Sequence, residues 1–241
     1  PLTLSFYFSG NEKKYRILFY IAILTLMGGL VATQSRSALL GCLIGIVPVF
    51  IKNRHVLNLK SLRLAVPVFL LFAAGLLLTA FADRLLLALN IDKDVAGRLS
   101  LWESAARMAL INPWHGIGLG NFHTYYPPYQ GIADNSSGDW AHMDPLQWAV
   151  ETGWGTAVAF YGLAACLFTR YLRPGLTQLQ IGAGASLLTI FLISHTGYAL
   201  HVAPILILSG LLLSIFSQAA PDPSRLRYAL VLPLLIVTVC G

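Results

Sequence analysis

Long apolar runs, each closed by a short polar or basic segment, limit what this chain can fold into more than any other feature. Ile17 to about Thr33, Ala38 to Ile51, Leu64 to Ala82, Pro145 to Phe168, Ile181 to about Ser194, and Pro204 to Phe216 carry almost no charge, and another run begins at Tyr228. Lipid offers no partners to peptide N–H and C=O groups, so such runs fold as helices that satisfy their own backbones. Charged residues make up 11% of the chain, about half the share of a soluble domain, and the mean hydropathy is +0.69. The expected fold is an all-α polytopic membrane protein with about seven transmembrane helices. It forms a single domain over residues 1–241. The chain begins at Pro1 and stops at Gly241 inside an apolar run, and is read as a fragment of a longer protein. Residues 1–10 are read as a helix tail or a short loop.

The net charge of +6 would suit a nucleic-acid partner if the cations shared one surface. They do not. Lys13, Lys14 and Arg16, then Lys52, Arg54, Lys60 and Arg63, then Arg170 and Arg173, then Arg225 and Arg227 flank the apolar runs. They read as topology determinants on the cytoplasmic side, with membrane lipids as surroundings and no nucleic-acid partner. The opposite side then receives Arg36, the whole 83–144 region as one long extracytoplasmic loop, and the His195–His201 turn. Within the loop, about Leu99 to Ile111 is expected to form an amphipathic helix ended by Asn112-Pro113. Cys42, Cys166 and Cys240 each lie in an apolar run and read as small hydrophobes, with no disulfide pattern.

Chemistry is expected on the outer face, where nucleotides are scarce and a substrate must arrive already activated. His142 stands just before an apolar helix, in Ala141-His142-Met143-Asp144-Pro145. Asp139 and Asp144 are close enough in sequence to hold its tautomer, and a neutral imidazole there suits a general base for a sugar hydroxyl. The competing reading is a loop histidine bonded to backbone. Arg36, between Ser35 and Ser37, has two readings as well. One is snorkelling or pairing with Asp83 or Glu151; the other is a clamp on phosphate oxygens, which the planar fork suits. Arg98 opens the amphipathic helix, and Arg107 can pair with Glu103 four residues earlier.

Glu151, a turn or two inside the fourth run, is expected to face a cavity or a partner. Gly116-Ile117-Gly118-Leu119-Gly120-Asn121 lacks the spacing and the preceding strand of a dinucleotide loop, and reads as a tight turn with close backbone packing. Tyr125, Tyr126, Tyr129, Trp114 and Trp140 read as an interfacial belt, or else as a sugar-stacking surface. His195 and His201 are spaced poorly for metal, so no metal and no cofactor is expected.

These residues together resemble the O-antigen ligase and polymerase superfamily. His142-Met143, nine residues, then Gly153-Trp154-Gly155-Thr156 is similar to the signature of its periplasmic loop. Ser35-Arg36-Ser37, Gly97-Arg98 with Trp102, Asn112-Pro113, the Gly116–Phe122 turn, and His195 with Pro204 extend the likeness in order. Met143 departs from the Asn, Ser or Gln of the ligase pattern, so the likeness is to the superfamily before it is to ligases.

The resemblance implies a metal-independent, inverting membrane glycosyltransferase in the bacterial inner membrane, active on the periplasmic face. Its donor would be a glycan on undecaprenyl diphosphate and its acceptor lipid A–core, or a growing glycan for a polymerase. His142 would be catalytic, while Arg36 and Arg98 would bind the diphosphate. A transporter or flippase would instead spread polar residues along several spans, and a structural membrane protein would need none of these groups.

Overall fold

The computed structural model describes residues 1–8, 16–33, 35–54, 70–71, 73–75, 77–78, 94–132, 134 and 136–218. Among these residues the regular structure is helical throughout. The helices are α1 (Leu2–Phe8), α2 (Arg16–Ala32), α3 (Arg36–Lys52), α4 (Asp94–Ala109), α5 (Phe122–Tyr125), α6 (Asp144–Thr152), α7 (Trp154–Leu172), α8 (Gln178–Ile193) and α9 (Ala203–Ser217). Pro127–Tyr129 and Ala199–His201 form single 3₁₀ turns. The basic segment from His55 to Arg63, most of the run from Leu64 to Ala82, Asp83, and everything from Ala219 onward lie outside the described residues.

Among the described residues one helix, α7, is long and apolar enough to cross a membrane, and little of it is buried within the protein. Ile17–Ala32, α8 and α9 are shorter apolar helices. The expected all-helical class is met, and the described residues do not show the number of crossings.

The apolar helices form a bundle around α8, which packs against α1, α3, α7 and α9. Its residues Gly182, Ala183, Gly184 and Ala185 are buried, and small residues let helices approach closely where lipid supplies no hydrophobic drive. Further along α8, Gly41 and Gly45 of α3 face it just as closely. A Cβ at Gly41 would lie 2.9 Å from Ile193 Cγ1, and one at Gly45 would meet Thr189 and the Ala185 carbonyl. Rising positions on α3 thus meet falling positions on α8, so the two helices are antiparallel.

Capping fits this arrangement. The Ser35 hydroxyl accepts from the Ala38 N–H at the start of α3, and Thr177 with Gln180 forms a capping box at the start of α8.

The bundle has two distinct ends. At one, Lys52 Nζ reaches the carbonyls of Leu172 and Arg173. Arg170 donates to the carbonyls of Phe216 and Ser217. Gln178 donates to Asn53 Oδ1 at 2.6 Å. Cations here satisfy the last carbonyls of α7 and α9, where the helix dipole also favours them. The other end carries Arg36, the C-terminus of α8 and the turn that follows it.

A second buried cluster lies at that other end. Leu101, Ala105, Met108 and Ala109 of α4 pack with Phe122, Tyr126, Ala141, Ala149, Val150 and Ala157. Each large side chain buried here contributes about 1.5–3 kcal/mol. The amphipathic helix expected near 99–111 is α4, which begins earlier and ends before Asn112-Pro113, as proline requires.

The fourth apolar run is not one helix. It breaks at Gly153, whose φ of 88° places it outside helical geometry. The break is set from a distance. The turn at Asn112–Gly118 docks on the junction, with Ile117 N–H donating to the Val150 carbonyl and Gly118 N–H to that of Glu151, both at 2.9 Å. Trp154 N–H in turn donates to Pro113 O at 2.9 Å. These bonds satisfy carbonyls that the end of α6 would otherwise leave open. The Gly116–Asn121 stretch is thus the close backbone turn its spacing suggested, with positive φ at Gly116, Gly118 and Gly120.

Candidate functional site

His142 sits in the bend just before α6, half-buried, with φ 51°. Among the described residues it is the one non-glycine with positive φ. That conformation costs an L-residue about 1–2 kcal/mol, and such strain persists where the surroundings over-determine it. Here they do. Ala141 before it is fully buried, and its N–H donates to Gln147 Oε1 at 2.7 Å. Gln147 in turn donates to Glu151 Oε1 at 2.7 Å. Asp144 after it is fully buried, with its N–H on the Ser194 carbonyl at 2.8 Å. The ring of His142 meets Tyr198 edge-on, centroids 5.1 Å apart.

Glu151 therefore lies in the last turn of the short α6, with Gln147 as the partner expected of it, and it supports the loop that presents His142.

The Asp144 carboxylate is engaged across the fold. One oxygen accepts from the Leu200 N–H at 2.9 Å, and the other bonds His201 Nδ1. Its role is to tie the start of α6 to the Ser194–His201 turn, where adjacency in sequence suggested an orienting partner for His142. Asp139 accepts from the Ser137 hydroxyl. His201 is held between Trp140 and Trp148, with ring centroids at 5.1 and 5.8 Å. Its Nε2 is buried and makes no hydrogen bond. His195 is bonded to Tyr161 Oη at 3.0 Å and to the Phe191 carbonyl at 2.7 Å. Neither histidine's role was legible from spacing, because their partners lie 34 and 57 residues away.

Arg36 is the first residue of α3 and is exposed. Because α3 and α8 are antiparallel, with Gly41 opposite Ile193, Arg36 lies at the Ser194 end of the bundle. Asp144 binds that same end, so Arg36 and the His142 loop occupy one end of the molecule. Helix stability does not ask for a cation at this position, since the N-terminal dipole is already positive. The planar guanidinium suits an anion.

Arg98 lies on α4, one turn before Leu101, which shares a buried cluster with Ala141. Arg107 pairs with Glu103, as its spacing indicated.

The aromatic residues divide. Trp114 is 81% exposed and Tyr125 is exposed, as a belt requires, whereas Tyr126 is buried and stacked on Phe122 at 5.3 Å. Its hydroxyl donates to Asp134, which also accepts from the Ser136 N–H at 2.8 Å. Burial, then the bond to Asp134 and that carboxylate's charge, raise the Tyr126 hydroxyl well above the ordinary tyrosine range.

The described residues thus form a helical bundle with one helix of membrane-spanning length, topped by a polar lobe that strains one histidine. The O-antigen ligase family model matches residues 21–161, and the chain belongs to that family. Its members are membrane-integral, glycosyltransferase-like bacterial enzymes of lipopolysaccharide biosynthesis, acting on lipid-linked glycans and a lipid A–core kind of acceptor. No curated protein and no solved structure matches the chain.

Proposed function

We propose that the protein transfers a glycan from undecaprenyl diphosphate to an acceptor hydroxyl on the periplasmic face of the inner membrane. The observation that carries this reading is His142, held in a left-handed conformation at the end of the bundle that also bears Arg36.

His142 acts as general base. A neutral ring nitrogen takes the proton of the acceptor hydroxyl as its oxygen attacks the anomeric carbon. The bond from that carbon to the diphosphate oxygen breaks, the centre inverts, and undecaprenyl diphosphate leaves with the electron pair. A base so placed contributes about 10²–10⁴-fold. Arg36, with the first turn of α3, and Arg98 hold the diphosphate and stabilise the charge that grows on it. The chemistry needs no metal. The remaining basic end faces the cytoplasm, and the membrane is crossed by the helices that join the two ends.

The test is removal of the gene followed by electrophoresis of the cell-surface glycans. A ligase predicts loss of all attached polymer with lipid-linked polymer accumulating. Met143, which departs from the ligase pattern, favours weighing a polymerase, and that reading predicts a single repeat left on the core. Unchanged glycans would sink both and return the chain to a transporter, a flippase or a structural role.

A further inference from the structure

The general base and the diphosphate clamp leave one feature of the polar lobe unused. An open cleft of about 280 Å³ is lined by Gly120, His123, Asp139, Trp140 and Glu151. That volume is at the low end for small-molecule sites, which run to about 300–1,000 Å³, so it suits a single ring.

Its chemistry is specific. Among the described residues its lining holds two carboxylates, the open Asp139 and the buried Glu151 that already accepts from Gln147, and neither Lys nor Arg. An anion placed there meets like charge, so the cleft is wrong for diphosphate. A carboxylate does suit hydroxyl or ammonium donors.

The remaining wall is aromatic and already oriented. Trp140 is half-exposed and stacks on Tyr198, with centroids 5.8 Å apart and planes 15° from parallel. His201 braces it at 5.1 Å. A ring fixed this way binds with little loss of conformational freedom. At Gly120 an added Cβ would meet nothing within 4 Å, so that side is open. Tyr198 also touches His142, so one ring joins the wall of the cleft to the proposed base.

We propose that this cleft is a sugar subsite. It takes one pyranose ring, neutral or amino-bearing and free of phosphate, against Trp140, with Asp139 accepting from its hydroxyl or ammonium groups. Its biological ligand rests on the glycan-transfer reading above: the ring belongs to the acceptor or to the sugar chain of the donor.

The experiment uses the full-length protein in lipid nanodiscs and saturation-transfer NMR, with glucosamine and glucose 6-phosphate as probes. Glucosamine should receive saturation and glucose 6-phosphate should not. Trp140→Ala should weaken the glucosamine signal about tenfold, the loss expected for about 1.4 kcal/mol, and Trp140→Phe should restore part of it. Equal signals from the two sugars, or a glucosamine signal unchanged in Trp140→Ala, would overturn the proposal. A transfer assay then assigns the ring: a raised acceptor KM in Trp140→Ala puts the acceptor in the cleft, and a raised donor KM puts the donor's sugars there. Transfer without glucosamine binding sinks the subsite and leaves the transferase. Glucosamine binding in a protein that transfers nothing sinks the transferase and leaves the subsite.

Discussion

At residue scale, the left-handed His142 separates function from stability. His142→Gly removes the imidazole and also relieves a conformation that costs about 1–2 kcal/mol. Transfer should disappear in both His142→Ala and His142→Gly, while the glycine variant should unfold at or above the wild-type temperature in detergent. Near-normal transfer in either would remove the general base. Asp144 makes the opposite prediction. It is fully buried and its two oxygens serve Leu200 and His201. Asp144→Asn leaves one acceptor oxygen and no charge, and should lower stability by about 1.5–3 kcal/mol, read as thermal unfolding. An unchanged melting temperature would show that the clamp contributes nothing. For Arg36, Arg36→Lys keeps the charge and loses the two-pronged geometry. The donor KM should rise about tenfold, a change of about 1.4 kcal/mol, with the acceptor KM unmoved. Wild-type donor affinity would exclude the bidentate clamp.

At the scale of elements, the polar lobe hangs on Tyr126. An acid whose folded-state pKa is raised is held neutral by the fold. Its contribution is whole below the unfolded value of about 10 and is lost as the pH climbs past it. As the pH rises above about 10, the lobe should therefore lose protease resistance more steeply in the wild type than in Tyr126→Phe. At neutral pH, Tyr126→Phe should itself cost about 0.5–1.5 kcal/mol. Equal alkaline sensitivity in both would mean that Tyr126 does not couple to folding. How far the elements were legible follows the same division between local and distant causes. The bounds of α2, α3, α4, α8 and α9 follow from apolar runs and from Asn112-Pro113, all local signals, and fall close to where the sequence puts them. The break at Gly153 does not, because an apolar pattern continues through it. What stops the helix is Trp114, whose carbonyl would collide with any Cβ at Gly153, and Pro113, which accepts from Trp154. Likewise the buried place of Tyr126 depends on Asp134 and on Gly138, which lies against its ring.

At the scale of the whole molecule, the site depends on how two helices far apart in sequence lie against each other. The proposal of His142 comes from the residues around it in the sequence. That Arg36 shares its end of the molecule was not legible there, because this follows from the antiparallel packing of α3 on α8 and from the Asp144–Ser194 bond. The packing can be moved without touching any proposed site residue. A Cβ at Gly45 would run into the Thr189 hydroxyl and come within 3.1 Å of the Ala185 carbonyl. Gly45→Ala should therefore push α3 off α8, shift Arg36 away from the His142 loop, and lower both the melting temperature and the transfer rate. The cost should be about 1–3 kcal/mol, as for other overpacked interiors. The obstruction is mainly one side chain, so Thr189→Ala should give much of both back in the double variant. The coupling energy of this cycle, expected at about 0.5–3 kcal/mol between contacting residues, is the measurement. Stability that returns without transfer would mean that helix spacing holds the bundle together and does not set the site. Effects that simply add would mean that α3 and α8 do not meet at Gly45.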